Sequence, residues 1–596
     1  MGLLEKAYDT YINHLDLVGK IEEGKSPLIP IAHMLKNVDI EVTINIDGNF
    51  ITAVEIDKSD NSTIIPATEK SSNSRTSGVE PHPLVDSLDY LSPGNTKKHQ
   101  RFLELLSDWC KFDESNVKIQ AVLKYVNKGS IKQDINSCCG KKCDDKKFVR
   151  WRVIGDSEAD SDASWQSKKM FESWQNYYLK KMSAIEGLCM ISGQKELLGT
   201  SHPKGIVANL NNSKLISAND SKDFTYRGRF SNDREAMTIS YVASQYAHNA
   251  LIWLTRNQSV RFSAGGRTFI CWNPKGYKVP CVWDDILSLG DNEDACLITP
   301  TNYQKALYSA LSGYRNNLPD NEDVILASFD AATPGRLSLT YYCELKGSDF
   351  LERLEKWYST CNWINGKYGV QTPGIRDITL FAFGESREEN YPEAKEGVFR
   401  EQFQRVLKCV IDKAPIPYDL LICLVNRASR PQSYKSSHSV VYKRLLYITC
   451  ALVRKYHNDR LKREEWTLNL EPEKRERSYQ FGRLLAVMEK IETDTFSSDE
   501  NRESNAIRLQ SVFCERPWQY TEIIHQKLAP YFAKHKANGR RYYKRLIGQI
   551  MEELSSFPEQ ELNKKLNETY LLGYYLQRNA MYEKHAKDIG LNEGEE

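Results

Sequence analysis

The hydrophobic pattern changes character near Glu401, and that change constrains the fold more than any short motif does. Before it, stretches alternating with period two are interleaved with stretches of helical period; after it, the helical period dominates. Asp39–Ile46 and Phe50–Ile56 alternate around Asp47-Gly48, a strong hairpin signal because Gly tolerates the positive φ of a tight turn. Val324–Phe329 and Leu337–Leu345 read as two strands joined by a Pro334-Gly335 turn, and Asp377–Phe383 reads as a further strand. Lys98–Phe112, Asn116–Val126, Asn302–Tyr314 and Leu351–Trp363 read as helices. Beyond Glu401, Ser478–Met488 and Asn567–Tyr582 read as amphipathic helices, and antiparallel helices with short connections suggest a bundle. The expected fold class is α+β, with a mixed α/β N-terminal region over 1–400 and an all-α C-terminal helical bundle over 401–596. A sub-boundary is expected near 130–185, since 596 residues exceed what one core supports.

Composition excludes several classes. Apolar content of 40% with 27% charged residues is ordinary for a soluble globular protein. No apolar run approaches the roughly 20 residues that a membrane-spanning helix needs. The opening MGLLEKAYDTY reads as an amphipathic helix with early acids, not a signal peptide, and it lacks the Ser or Thr of a myristoylation signal. Its apolar stripe is Leu4, Ala7, Tyr8, Tyr11, Ile12 and Leu15. The fourteen cysteines are scattered, as in a reducing cytoplasm, which is the expected location. Cys138-Cys139-Gly-Lys-Lys-Cys143 is a local thiol cluster in a Lys-rich loop; a structural zinc site wants four ligands, and no His lies near. No metal and no cofactor is expected.

The net charge of +2 hides an uneven distribution. Leu420–Asn458 contains no acid but seven bases, among them Arg427, Arg430, Lys443, Arg444 and Lys455. Ile523–Met551 repeats the pattern with Lys527, Lys534, Lys536, Arg540, Arg541, Lys544 and Arg545. Acid-free basic stretches suit a polyphosphate backbone. Lys70-Ser-Ser-Asn-Ser-Arg-Thr-Ser-Gly78 is a polar loop with two bases and several small hydrogen-bonding side chains, and Tyr226-Arg227-Gly-Arg229 pairs an aromatic ring with two cations, a combination that fits backbone contact and base stacking.

Catalytic signals are weak. Gly19-Lys-Ile-Glu-Glu-Gly-Lys-Ser26 matches the P-loop pattern literally, but a helix precedes it, Pro27 and Pro30 follow, and two glutamates would sit in the phosphate cradle. It reads as a helix–strand loop. Asp284 and Asp285 are adjacent, and sequence neighbours do not by themselves converge on one cation. A stand-alone NTP- or metal-dependent nucleic-acid-processing enzyme remains the alternative reading, built on those two features.

The most specific stretch is Gly187–Pro274. It opens GLCMISGQKELLGTSHPKGI and continues through DFTYRGRFSNDREAMTISYVASQYAHNALIWL, with Glu235–Thr255 expected as an amphipathic helix behind an Asn232/Glu235 capping box. It closes GGRTFICWNP, where Thr268–Trp272 reads as a buried strand. With Leu3–Leu17, Ile65–Leu91, Pro334–Leu345 and Ser478–Arg578, it resembles, in order and over nearly the whole chain, the large subunit of the type I-C CRISPR interference complex (Cascade), the Csd-type large-subunit family.

That resemblance implies a non-catalytic subunit whose N-terminal region recognises the protospacer-adjacent motif (PAM), a short duplex flank of target double-stranded DNA. It implies help with duplex opening and R-loop stabilisation, the displaced strand being held by protein while guide RNA pairing reads the target. The implied partners are the guide RNA ribonucleoprotein, the Cascade backbone subunits, the guide-processing subunit and a helicase-nuclease. A small subunit made from the C-terminal part of the same gene is also implied, with small-subunit-like sequence from about 470. The family carries an RTSG-like segment, matched here by Arg75–Gly78. Lys70, Asn73 and Arg75 are therefore expected near the duplex, with Thr76 and Ser77 on phosphates. Arg227, Arg229, Arg427, Arg430, Lys443, Arg444, Lys534, Lys536, Arg540, Arg541, Lys544 and Arg545 are the other expected nucleic-acid contacts. Arg336 reads as a structural turn arginine.

Overall fold

The computed structural model describes the chain except residues 1, 74, 76–77, 141–142, 157–159, 183–184, 218–236, 258–260, 265, 284–286, 288–298, 334, 386–389, 461–464, 498–499, 501 and 593–596, and the side chains of 332, 367 and 583–592. The chain is α+β and divides into two compact units. The first comprises Met1–Ser263, Arg267–Val279 and Asp323–Glu344; the second comprises Ala264–Gly266, Pro280–Glu322 and Leu345–Glu596.

In the first unit, β1 (His33–Asn37), β2 (Ile40–Asn45), β3 (Phe50–Glu55) and β4 (Ser62–Pro66) form two small antiparallel pairings, and β5 (Val149–Ile154) joins β2 in parallel. The β2–β3 hairpin turns at Gly48, whose φ is +76° and whose Cβ, if present, would meet the Ala121 carbonyl at 2.8 Å. Both demands leave glycine as the fitting residue. Val42, Val149, Trp151 and Val153 bury one sheet face against Trp109, Val122, Tyr125 and Trp174 from three helices, Thr96–Phe112, Val117–Asn127 and Lys168–Lys181. Two short strands, β6 (Glu186–Leu188) and β7 (Lys195–Leu197), make a separate hairpin.

A second core surrounds the helix Tyr241–Arg256, capped by Ser240 Oγ accepting from Ala243 N at 3.1 Å. The expected Asn232/Glu235 capping box lies outside the described residues, and the helix begins at Tyr241 instead of Glu235; expected to be amphipathic, it is buried on most of its circumference, because the opening helix Leu3–Asn13 and a four-stranded sheet enclose it. That sheet runs in the order β11-β10-β9-β8, with β8 at Arg261–Ala264, β9 at Arg267–Trp272, β10 at Asp323–Thr333 and β11 at Arg336–Lys346. All six residues of β9 are buried, as its apolar run demands. The opening helix buries Leu3, Ala7, Thr10 and Tyr11, with Tyr11 stacked on Tyr246 at 4.3 Å. Ile12 and Leu15 of the expected stripe are exposed, since the contact face is rotated toward Thr10, which receives the Trp272 indole N–H at 2.9 Å.

The second unit is mainly helical. Asp377–Phe383, expected as a strand, lies in a helix, Ile375–Phe383. Its β-branched and aromatic residues favour strand intrinsically, yet Ile375, Ile378 and Phe381 recur at helical spacing and are buried, so tertiary packing decides. The expected helix Leu351–Trp363 ends at Thr360, and Trp363 pairs instead with Gln371 in a two-residue ladder. The centre of the unit is the helix Arg477–Thr493, in which every residue from Ser478 to Glu492 is buried. The amphipathic expectation fails here because helices cover it on several sides, and its polar groups are paired internally. Arg483 Nη1 donates to the Pro472 carbonyl at 2.7 Å, and Tyr574 Oη donates to Glu489 at 2.6 Å. Gly482 and Gly573 let this helix and Tyr570–Asn592 meet backbone to backbone. Among the described residues, no helix is long and apolar enough to cross a membrane.

Candidate nucleic-acid interface

Lys70–Gly78, expected as a loop, begins as a single helical turn, Glu69–Asn73. Thr68 and Ser71 close that turn reciprocally: each backbone N–H donates to the other's hydroxyl at 2.9 Å. Lys70 points outward and is exposed. Asn73 Nδ2 donates to Ser201 Oγ at 2.9 Å, and Glu69 accepts from Thr200 Oγ1 at 2.8 Å, so the turn is pinned to the Thr200-Ser201 segment. Two stretches far apart in sequence thus form one site.

Arg75 is held more firmly. Its Nη2 donates to Asp86 Oδ1 at 2.6 Å, and its guanidinium lies 4.6 Å from the Tyr90 ring centroid. Asp86 also accepts from the backbone of His82 and Ser87, each at 2.7 Å. Burial pushes the Asp86 carboxyl up to about 6, against the opposing pull of Arg75. His82 is held well below the usual imidazole range, by burial first and then by Arg75 and Lys36, so it stays neutral. Asn73 Oδ1 and Arg75 Nη1 are both buried without a hydrogen-bond partner. Thr76 and Ser77 lie outside the described residues. Sequence reasoning missed Asp86 and Ser201, which orient Arg75 and Asn73. Asp86, an acid in the apolar run Pro83–Leu91, was the available signal.

In the second unit the basic candidates separate into two kinds. Arg427 Nη1 donates to the Phe381 carbonyl at 3.2 Å and to Gly384, closing the end of the helix Ile375–Phe383. Arg444 pairs with Asp377 at 2.7 Å in the first turn of the same helix. These two are committed to the fold; Arg430 and Lys443 are exposed.

Ile523–Met551 folds as two helices, Pro517–Lys534 and Ala537–Ser555. His535 between them shares a hydrogen bond of 2.7 Å with the Ile491 carbonyl of the central helix, which fixes the turn. Tyr543, Ile550 and Leu554 face inward. Arg540, Arg541, Lys544 and Arg545, at spacings of one, three and four, occupy the exposed side, and Lys527, Lys534 and Lys536 are exposed as well. Among the described residues none of these seven pairs with a carboxylate. The surface is an unneutralised cationic strip. Arg227 and Arg229 lie outside the described residues.

Among the described residues, the remaining sequence features hold no assembled chemistry. Gly19–Ser26 follows a helical turn, Leu15–Leu17, and Lys25 is paired with Glu22 at 2.7 Å, so its ammonium is engaged inside the loop. Asp284 and Asp285 lie outside the described residues. Cys138 and Cys139 end the helix Ile131–Cys139, and Cys143 is buried behind them. Among the described residues no group of three or more His, Cys, Asp and Glu is placed to hold a metal ion.

Compared with known families, the model described as CRISPR-associated protein (Cas_Csd1) matches residues 10–582. No curated protein matches the chain.

Proposed function

The chain belongs to the CRISPR-associated Csd1 family, the type I-C Cascade large-subunit family, and from that premise we propose how it acts. It is a Cascade subunit that works among other CRISPR-associated subunits. Its task is to recognise the PAM in target double-stranded DNA, to help open the duplex and stabilise the R-loop, and to help recruit the helicase-nuclease. It works by binding and leaves cleavage to that partner, in the cytoplasm.

The observation that carries this reading is the Glu69–Asn73 turn with Arg75 beyond it: Asn73 and Arg75 are held by Ser201 and Asp86, and Lys70 beside them is exposed. Asn and Arg are the side chains that pair bidentately with adenine and guanine edges in the major groove. Fixing them before DNA arrives lowers the ordering cost of recognition. The strip Lys527–Arg545 supplies the second half of the task. Exposed cations without carboxylate partners attract the backbone of a displaced strand, and such binding helps offset the stacking given up on opening, about 1.4 kcal/mol per step.

The proposed partners are the guide RNA ribonucleoprotein, the Cascade backbone subunits, the guide-processing subunit and a small subunit translated from the C-terminal part of the same gene. A start near Leu468 or Leu470 would keep the helix Arg477–Thr493 whole, whereas Met488 lies within it. A blot with antibody to the C-terminus tests this, and only full-length protein would remove it. The central reading is tested by gel-shift binding of target duplex to the assembled complex, with and without this subunit, while the flank alone is varied. Binding should require both the subunit and one particular flank. Binding that is indifferent to either overturns the reading.

A further inference from the structure

Three basic residues remote in sequence stand side by side beside the Asn73 turn. Lys204 and Lys214 are antiparallel bridge partners, and Lys214 and Arg336 are parallel bridge partners. The backbone closes both rungs: Gly205 N donates to Ser213 O at 3.0 Å, Lys214 N to Gly335 O at 3.1 Å, and Leu337 N to Lys214 O at 2.9 Å. Cross-strand partners project from the same face, and like charges placed so are destabilising unless something neutralises them. Among the described residues no carboxylate forms an ion pair with any of the three. Lys204 Nζ donates to Asn212 at 3.3 Å and Lys214 Nζ to Ser201 Oγ at 3.2 Å, both uncharged acceptors. Glu69 faces Lys214, but its oxygens already accept from Thr200 and Ser201. Burial and the neighbouring Lys204 hold the Lys214 ammonium below its ordinary range, against the opposing pull of Glu69.

Ser201 connects this row to the proposed reading turn, since the hydroxyl that receives Lys214 also receives Asn73 Nδ2 at 2.9 Å. Lys36 continues the row on the other side. It lies 4.4 Å over the Phe148 ring, on which Arg75 also stacks at 5.6 Å, and it feels the charges of both Arg75 and Lys204. Neighbouring strands lie about 4.8 Å apart, so Lys204 to Arg336 spans roughly 10 Å. Three consecutive phosphates of one DNA strand rise by about 7 Å, two steps of 3.4 Å, an offset that long Lys and Arg side chains can take up.

We infer that Lys204, Lys214 and Arg336 bind consecutive backbone phosphates of the target duplex flank, with Ser201 setting the offset between that phosphate row and the base-reading Asn73. The inference rests on the proposed PAM-reading role of the turn. It divides labour within one surface: the row positions the duplex and the turn specifies it. Arg336 then has a binding role beyond that of a turn residue.

The test uses the assembled complex carrying Lys204→Gln, Lys214→Gln and Arg336→Gln singly and together. Dissociation constants for duplexes with the preferred and a non-preferred flank are measured across salt concentrations. Each single variant should reduce the slope of log affinity against log salt by about 0.9, and the triple variant by about 2–3. The ratio between preferred and non-preferred flanks should stay unchanged, and Lys214→Arg should keep the wild-type slope. Subunit incorporation and thermal unfolding are followed in parallel. A properly incorporated triple variant with the wild-type slope overturns the inference. Loss of incorporation in the Gln variants, with recovery in Lys214→Arg, also overturns it and assigns the row to guide RNA or a neighbouring subunit. If the wild-type complex shows no flank preference, the PAM reading fails instead, and a changed slope in the variants still identifies the row as phosphate-binding.

Discussion

Arg75 meets Asp86 at 2.6 Å, and the Asp86 side chain is completely buried. The buried carboxylate thus acts as the fixed post of a residue proposed to touch DNA. Its folded-state pKa of about 6 lies above the ordinary 3.8, so the folded chain binds the proton more tightly than the unfolded chain does. This group's contribution to stability is therefore fullest at low pH and is lost as pH rises from about 4 to about 6. Asp86→Asn removes that dependence. The difference in Tm between wild type and Asp86→Asn should move against the wild type as pH rises across that window and be flat above it, measured by thermal unfolding.

Asn73→Ala and Arg75→Ala should act on selectivity more than on total affinity. A bidentate base contact discriminates by about 1–3 kcal/mol, so the ratio of affinities for preferred and non-preferred flanks should fall about tenfold or more. Competition gel shifts with the two duplexes measure it. An unchanged ratio would mean that the turn does not reach base edges.

Reversing Arg540, Arg541, Lys544 and Arg545 to Glu should weaken target capture and flatten its salt dependence, by about 0.7 in slope for each single-strand phosphate no longer neutralised. Arg444→Gln should do the opposite. It should lower stability by about 1–3 kcal/mol by breaking the Asp377 pair, and leave the salt slope alone. Titrations at several salt concentrations, alongside denaturant melts, separate the two behaviours.

Gly482→Ala or Gly573→Ala should cost about 1–3 kcal/mol or more, because either Cβ would overlap the backbone of the facing helix. Gly548→Ala, in open space on the helix Ala537–Ser555, should gain about 0.5–1 kcal/mol. Urea midpoints of the three variants read both signs.

Local patterning was legible wherever one residue type met one backbone demand. Asp47-Gly48 announced the β2–β3 hairpin, and the β9 run announced a buried strand. Burial from all sides was not legible: Arg477–Thr493 carries enough polar residues to look amphipathic, and only the partners Pro472, Gln577 and Tyr574 reveal how they are satisfied. The basic stretches show the same limit. Leu420–Asn458 is free of acids along the chain but not in space, since Asp377 comes back to Arg444. The Arg540–Arg545 cluster has no such distant acid among the described residues, which is why one stretch splits into structural and exposed cations and the other keeps its charge. The row Lys204, Lys214 and Arg336 had no linear signature, because register alone assembles it.

The chain enters and leaves each compact unit more than once, with β9 and β10 separated by Pro280–Glu322 of the other unit. During synthesis, then, the first unit cannot close its four-stranded sheet until Lys346 has left the ribosome, although its N-terminal hairpin is available far earlier. The nascent protein must pass through a stage in which the buried face of β9 waits for its neighbour.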